Sequence, residues 1–164
     1  MDTKVYITKN NTIMNEFKSV NDALDFAIQS EQEAFDFYTN LADVSKNQAM
    51  RKVFIQFAEE EKGHKKRLVA IKSEGTFELS DKKVVDLEIG DYLIDVKPSS
   101  EMSYQDALIL AMKKEKSAFK LYSDLAGIVP NSNLKNIFLS LAQEEAKHKL
   151  RFEIEYDDYI LKEN

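Results

Sequence analysis

The two histidines of the sequence each follow a glutamate by three residues, in Glu61-Lys62-Gly63-His64 and Glu145-Ala146-Lys147-His148. On a helix, this spacing places the glutamate and the histidine on one face. A carboxylate and an imidazole that point the same way are common ligands of transition-metal ions, so each pair is a candidate half-site. Either pair alone is a modest signal, because glutamate is abundant in this chain.

An internal repeat relates the two pairs to each other. Adding 84 to a residue number in the first half gives a matching residue in the second half, without any insertion. The matches include Leu24 with Leu108, Glu31 with Glu115, Phe35 with Phe119, Tyr38 with Tyr122, Phe54 with Phe138, Glu61 with Glu145 and His64 with His148. The pattern indicates a duplicated helical hairpin.

Four of the repeated glutamates interrupt apolar stripes with the four-three spacing of a helix. Two of these stripes read Leu24, Ile28, Glu31, Phe35, Tyr38 and Leu108, Met112, Glu115, Phe119, Tyr122. Four ionised carboxylates buried together would repel one another and lose their hydration, which few folds withstand. Lys and Arg are absent from these stripes near the glutamates, so metal ions are the favoured source of positive charge, ahead of protonation.

We therefore predict two metal ions held by six ligands: Glu31, Glu61, His64, Glu115, Glu145 and His148. Four carboxylates and two imidazoles suit a pair of iron ions, with manganese as the alternative. We expect Glu31 and His64 on one ion, Glu115 and His148 on the other, and Glu61 and Glu145 between them. Open positions on adjacent redox metals suit the reduction of O2 or peroxide.

Two tyrosines are candidates for supporting this site. Tyr38 and Tyr122 follow Glu31 and Glu115 by seven residues, two helical turns along the same face. A phenol hydroxyl at this place can hydrogen-bond a ligand carboxylate. The alternative interpretation is an ordinary core aromatic residue with a satisfied hydroxyl group.

Helical periodicity predicts the four helices that position these residues, over residues 20–43, 47–72, 103–126 and 132–162. Glu31 and Glu61 lie equally far from a predicted turn, and the same holds for their repeat partners, so each pair should face across a hairpin. Ser103 with Asp106 resembles a capping box at the start of the third helix, and Gly75 is expected to end the second.

Residues 73–101 and 1–18 fall outside the four predicted helices. The first stretch is too apolar for a free linker, and we interpret it as a crossover packed on the bundle. Two hairpins joined by one long connection form a ferritin-like four-helix bundle, so we predict one all-α domain over residues 1–164. Residues 1–18 form either an extended arm, on the bundle or on a second subunit, or a frayed terminus.

Composition supports this helical fold and argues against some classes of binding partner. Apolar residues make up 43% and charged residues 32% of the chain, with 4 Gly and 2 Pro, as is typical of amphipathic helices. The net charge of -6 argues against nucleic acid and anionic membranes as partners. The sequence has no Cys and no apolar run long enough to span a membrane, and its start does not resemble a leader peptide, so we expect a cytoplasmic protein.

The segments from Glu31 to Tyr38 and from Phe57 to Leu68, with their repeat partners, resemble the rubrerythrin group of ferritin-like di-iron proteins over roughly residues 20–72 and 103–160. The resemblance implies an oxo- or hydroxo-bridged di-iron centre, reduction of hydrogen peroxide or O2 in oxidative-stress defence, and a homodimer. Rubrerythrins proper carry a four-Cys rubredoxin-like domain, and this sequence has no Cys. The resemblance therefore implies an external electron donor, such as a rubredoxin-like protein.

One position departs from the rubrerythrin pattern and keeps other functions open. Ala118 stands where typical rubrerythrins have a further Glu one turn after Glu115, so the ligand set is equally similar to the symmetric centre of bacterioferritins. The alternatives are oxidation of ferrous iron, manganese-dependent peroxide disproportionation, and a metal-stabilised bundle without catalysis.

Overall fold

The computed structural model describes residues 6–7, 13–14, 17, 19–75, 87, 89–94, 98–99 and 101–163. Four long helices dominate: α1 (Val20–Val44), α2 (Gln48–Glu74), α3 (Tyr104–Ile128) and α4 (Ser132–Glu163). Each helix end lies within two residues of the position predicted from the sequence. Two short strands, β1 (Tyr6–Ile7) and β2 (Ile13–Met14), pair antiparallel. The predicted four-helix bundle is confirmed.

Side-chain caps fix where α1, α2 and α3 begin, and a glycine fixes where α2 ends. Ser103 accepts a hydrogen bond from the backbone N–H of Asp106 at 3.1 Å, and Ser19 caps α1 in the same way. Asn47 accepts from the first backbone N–H groups of α2. At its other end, α2 stops at Gly75, whose φ of 60° lies in the left-handed region that favours glycine. The caps predicted at Ser103 and Gly75 are therefore confirmed.

The four helices form two hairpins that are related by an approximate two-fold axis. The helix α1 packs along α2, and α3 packs along α4, each pair joined by a short turn. Tyr38 on α1 contacts Glu115 on α3, while Tyr122 on α3 contacts Glu31 on α1. These reciprocal contacts show that α1 and α3 run antiparallel.

Two clusters of buried apolar side chains fill the bundle at different levels. One cluster is built around Phe17, Leu24, Leu68, Tyr122, Phe138 and Leu141. The other is built around Phe37, Tyr38, Phe54, Phe57, Leu108 and Phe152. The repeated glutamates and histidines lie between the two clusters along each helix, so apolar packing flanks the polar layer on both sides.

The described part of residues 73–101 packs against the bundle. Residues Ile89–Tyr92 form a short 3-10 helix, and the hydroxyl of the buried residue Tyr92 donates to Asp124 of α3 at 2.8 Å. The hydroxyl of Ser117 donates to the carbonyl of Tyr92. Residues 76–86, 88, 95–97 and 100 of the predicted crossover lie outside the described residues, as do most of residues 1–18.

Candidate metal centre

The six side chains predicted as metal ligands lie together in the middle of the bundle. Each helix contributes at least one of them, and none is more than 2% exposed to solvent: Glu31, Glu61, His64, Glu115, Glu145 and His148. Among the described residues, they are also the buried glutamate and histidine side chains. Ionisable groups buried at this density need a compensating charge or proton.

Their ligand atoms form two overlapping groups, each of which could hold a metal ion. One group contains Glu31, Glu61, His64 and Glu145, and the other contains Glu61, Glu115, Glu145 and His148. Within each group, the oxygen and nitrogen atoms lie within 4.8 Å of one another. Glu61 and Glu145 belong to both groups. This sharing is the geometry of two adjacent ion positions linked by two carboxylates.

Both imidazoles point Nδ1 into the carboxylate cluster. His64 Nδ1 lies 2.8 Å from Glu145 and 3.5 Å from Glu61. His148 Nδ1 lies 3.0 Å from Glu61 and 3.5 Å from Glu115. The two rings are nearly parallel, at an interplanar angle of 13°, with centroids 6.3 Å apart. The same nitrogen of each histidine therefore faces the same interior volume.

The outer nitrogen of each histidine contacts a glutamate that our sequence analysis missed. His64 Nε2 lies 2.5 Å from Glu144, and His148 Nε2 contacts Glu60 in the same way. A carboxylate can only accept, so Nε2 carries a hydrogen whether or not metal is bound. Nδ1 would offer its lone pair to a metal ion that replaces the proton on this nitrogen. Glu60 and Glu144 are themselves 84 residues apart, and this repeat could have revealed them.

Outside the cluster, the two half-sites are not identical. Arg67 lies 3.1 Å from Glu144 and neutralises part of its charge. The repeat partner of Arg67 is Arg151, which lies 3.9 Å from Glu155 instead. Glu60 receives the neutral amide of Gln56 at 3.1 Å. The two half-sites therefore resemble each other most in the six buried side chains, and they differ in the contacts of the surrounding residues.

The two candidate tyrosines tie the hairpins together at the cluster. The Tyr38 hydroxyl donates to Glu115, and the Tyr122 hydroxyl donates to Glu31, so each tyrosine reaches a glutamate of the other hairpin. Burial, followed by the charge of the nearby carboxylates, raises the pKa of both phenols well above the ordinary value. Both hydroxyls therefore keep their protons and remain donors.

The cluster binds protons strongly when no metal is bound. Burial, followed by the charge of Glu145, raises the pKa of Glu61 and of Glu115 well above the ordinary value. Burial alone would lower the pKa of His64, but hydrogen bonds led by that to Glu145 raise it to about 10. The pKa of His148 rises to about 11 against the same effect of burial, led by its interaction with the nearby Glu115 carboxylate. Positive charge is therefore favoured at this place.

The hydrogen-bonding of the cluster fits a metal site. Five buried atoms make no hydrogen bond to any described residue: Oε2 of Glu31, Oε1 of Glu61, Oε2 of Glu115, Oε2 of Glu145 and Nδ1 of His148. A buried acceptor without a donor costs about 1–3 kcal/mol, and more when it is charged. Metal ions would satisfy these atoms together, so the donor set fits a pair of ions that prefer oxygen and imidazole ligands.

A four-helix bundle with a buried layer of four glutamates and two histidines belongs to the ferritin-like class of helical proteins. The family model for rubrerythrin matches residues 22–93 and 106–164 of the sequence. The chain belongs to the rubrerythrin family, a family of ferritin-like di-iron proteins.

Comparison with solved structures agrees with this assignment. The fold is similar to that of a hypothetical protein from Pyrococcus furiosus, with a TM-score of 0.66 and 28% sequence identity over 82% of this chain and 86% of that chain. None of the curated proteins matches this chain. Among the described residues, every helix is too short or too polar to cross a membrane.

Proposed function

We propose that this protein is a di-iron oxidoreductase that reduces hydrogen peroxide, or O2, with electrons from an external donor in oxidative-stress defence. The observation that carries the proposal is the pair of four-ligand groups that share Glu61 and Glu145. Two positions with common carboxylates bring two metal ions close enough to act on one oxygen–oxygen bond. Membership of the rubrerythrin family makes iron the first choice of metal.

We assign the ligands by the group in which each one occurs. Glu31 and His64 occur only in the first group, so they would bind one iron. Glu115 and His148 occur only in the second group and would bind the other. When bound, two ferrous ions supply the two electrons that convert hydrogen peroxide and two protons into two molecules of water.

The chain's own residues orient the ligands and limit the access of water. Glu60 and Glu144 hold the outer nitrogens of the histidines, and the hydroxyls of Tyr38 and Tyr122 hold carboxylate oxygens. The apolar clusters on both sides of the polar layer keep bulk water away from it. Because the sequence has no Cys, we propose a separate electron donor, such as a rubredoxin-like protein.

Oxidation of ferrous iron is the second candidate, and the residue at position 118 favours it. Ala118 is partly buried against the apolar core, and its repeat partner Ala34 is buried too. Neither position supplies a seventh carboxylate, so the two half-sites have equal numbers of ligands. A symmetric ligand set of this kind is also what the resemblance to bacterioferritins implies.

Stopped-flow mixing separates these functions. Protein loaded with ferrous iron under anaerobic conditions is mixed with hydrogen peroxide or with O2, and oxidation is followed by absorbance. We expect faster oxidation by peroxide and no iron mineral after repeated ferrous additions. Faster oxidation by O2 with mineral growth would establish the ferroxidase function, and no reaction with either oxidant would establish a structural metal site.

Metal analysis of the protein from cells supplied with both metals distinguishes iron from manganese. An exposed neighbour of the site, Glu59, provides the control variant Glu59→Gln, which should leave both oxidation rates unchanged. His64→Ala and His148→Ala should each slow the reaction with peroxide, because each removes the single nitrogen ligand of one half-site.

A further inference from the structure

A continuous row of aromatic rings leads from the layer of predicted metal ligands to the end of the bundle where α3 begins. The ring of Tyr38, whose hydroxyl donates to Glu115, lies 5.4 Å from that of Phe152 between centroids. From Phe152 outwards, successive centroids are 6.1, 6.4 and 5.2 Å apart, distances that are typical of packed aromatic pairs. We call this row the aromatic path, which consists, in order, of Tyr38, Phe152, Phe54, Tyr104 and Tyr159.

A second predicted ligand also connects to the aromatic path. The imidazole of His148 stacks on Phe57, with centroids 4.0 Å apart, and Phe57 packs edge-on against Phe152 at 5.3 Å. Phe152 is fully buried, whereas Tyr104 is partly exposed. Both Glu115 and His148, the ligands that we assign to one iron alone, are therefore linked to the surface by rings in contact.

The internal repeat shows that the path exists on one side of the site only. Tyr122, the repeat partner of Tyr38, has Phe138 as its single ring contact among the described residues. The aromatic residues that continue or join the path have no aromatic repeat partner: Phe57, Phe152, Tyr104 and Tyr159 correspond to Leu141, Leu68, Val20 and Gly75. Leucine and valine fill the core on the other side, so packing alone does not require these four rings to adjoin one another.

Tyr104 has the proton acceptor that the oxidation of a phenol requires. Its hydroxyl donates to Glu155 at 3.2 Å. Burial, followed by the charge of Glu155, raises the pKa of Tyr104 above its ordinary value, so the hydroxyl keeps its proton at neutral pH. A phenol that loses an electron becomes a strong acid, and the Glu155 carboxylate can take up its proton. The corresponding acceptor of Tyr38 is Glu115, which the proposed centre uses to bind metal.

We propose that Tyr104 supplies an electron to the metal centre along the aromatic path when hydrogen peroxide takes up more electrons than the external donor has delivered. The reduction of hydrogen peroxide to two molecules of water consumes two electrons and two protons. When the donor has delivered only one electron, Tyr104 supplies the second, its hydroxyl proton passes to Glu155, and a neutral tyrosyl radical remains. At the partly exposed Tyr159, a small thiol then returns a hydrogen atom to the path. This inference rests on the proposed reaction with peroxide.

Spin trapping locates the oxidised residue. Iron-loaded protein receives a single reducing electron per chain from dithionite under anaerobic conditions and is then mixed with hydrogen peroxide and a nitroso spin trap. Peptide mass spectrometry of the wild-type protein should place the trap on Tyr104 or Tyr159. Adducts confined to Tyr38 and Tyr122, or no adduct although the iron is oxidised, would overturn this inference alone. If peroxide fails to oxidise the iron, the proposed function falls together with it.

Two variants interrupt the path in different ways. Phe152→Leu introduces the residue type found at the equivalent position of α2, and Tyr104→Phe keeps the ring but removes the transferable proton. Both should retain the wild-type iron content and lose the adduct at Tyr159. The control Tyr156→Phe removes a phenol at the same end of the bundle, outside the path, and should leave the adducts unchanged. Undiminished labelling of Tyr159 in the two path variants contradicts electron transfer along these rings.

Oxidation of a buried ligand provides an independent readout. During repeated additions of peroxide without a donor, the wild-type path replaces electrons that would otherwise be taken from residues beside the metal ions. Phe152→Leu should therefore accumulate oxidised His148 faster than the wild-type protein, as measured by peptide mass spectrometry. Phe138→Leu removes a buried ring on the other side, outside the path, and controls for loosened packing. Equal oxidation of His148 in Phe152→Leu and the wild-type protein would overturn the inference.

Discussion

His148 of α4 contacts Glu60 of α2 through its outer nitrogen Nε2, while its inner nitrogen Nδ1 lies 3.0 Å from Glu61. Two consecutive glutamates of one hairpin therefore lie beside the two nitrogens of a histidine from the other hairpin. Burial alone would raise the pKa of Glu60, but the hydrogen bonds from His148 and Gln56, together with the charges of the two histidines, lower it, so this carboxylate stays ionised near neutral pH. An ionised acceptor on Nε2 increases the electron density of the imidazole and fixes its orientation.

Removing Glu60 should weaken metal binding at one half-site. In Glu60→Ala, His148 loses the acceptor that holds Nε2, and we expect metal affinity at that half-site to fall by about 10–100-fold. Anaerobic titration with Co2+, followed by its visible absorption, measures both binding steps. The neighbouring exposed Glu59 gives the control Glu59→Ala. An equal titration curve for Glu60→Ala and the wild-type protein would show that Glu60 does not orient the histidine.

The sequence predicted the helices and the six buried side chains because the repeat and the apolar periodicity act on the same residues. Glu61 and Glu145 interrupt an apolar stripe, so their burial follows from helix geometry. Glu60 was missed because it lies one residue off the stripe, where a glutamate ordinarily faces solvent. Its role depends on the position of His148 on another helix, which is a tertiary contact.

Two other features also depended on tertiary structure. The sequence placed Tyr38 near the cluster but did not specify that its hydroxyl reaches Glu115 on the other hairpin. It predicted Phe119 to be interior, like Phe35, but Phe119 is 43% exposed. Periodicity predicts the direction of the buried face of a helix to within roughly a quarter turn. The burial of a residue at the edge of this face depends on how closely the neighbouring helices pack against it.

Removing a glutamate that belongs to both four-ligand groups should lower the metal content more than removing a glutamate that belongs to only one of them. Glu61→Ala removes a ligand from both ion positions, whereas Glu31→Ala removes one from the first position only. We expect Glu31→Ala to retain about one ion per chain and Glu61→Ala to retain less than one. Elemental analysis after removal of loose metal gives both values. Equal loss in the two variants would argue against a bridging position for Glu61.

The stability of the metal-free protein should fall as the pH rises above neutrality. The pKa of His64 is about 10 in the folded state, compared with an ordinary value of 6.5, and that of His148 is about 11. The folded state therefore binds more protons than the unfolded chain between these values, and the free energy of unfolding decreases through this window. The raised pKa values of Glu61 and Glu115 act in the same direction.

Thermal unfolding in the presence of a chelator tests this sign. The melting temperature of the metal-free protein should be lower at pH 9 than at pH 7, and the metal-loaded protein should lack this decrease because metal replaces the bound protons. A metal-free protein that becomes more stable between these two pH values would contradict the protonated state of the cluster.

The two buried tyrosines should contribute similarly to stability. Tyr38→Phe leaves Glu115 without its hydroxyl donor, and Tyr122→Phe does the same to Glu31, so each should cost about 1–3 kcal/mol in the metal-loaded protein. Urea unfolding measures both values. Tyr104→Phe removes a hydroxyl that donates to Glu155 at a partly exposed place and should cost less. A large loss in one buried variant alone would contradict the two-fold relation of the hairpins.

The most direct test of the proposed metal centre is the number of metal ions bound per folded chain. Native mass spectrometry of the protein from iron-supplied cells resolves each chain with none, one or two ions. The shared carboxylates predict two ions as the main species, and iron as the metal. One tightly bound ion, or none after reconstitution with ferrous iron under anaerobic conditions, would contradict a di-iron centre between Glu31, Glu61, His64, Glu115, Glu145 and His148.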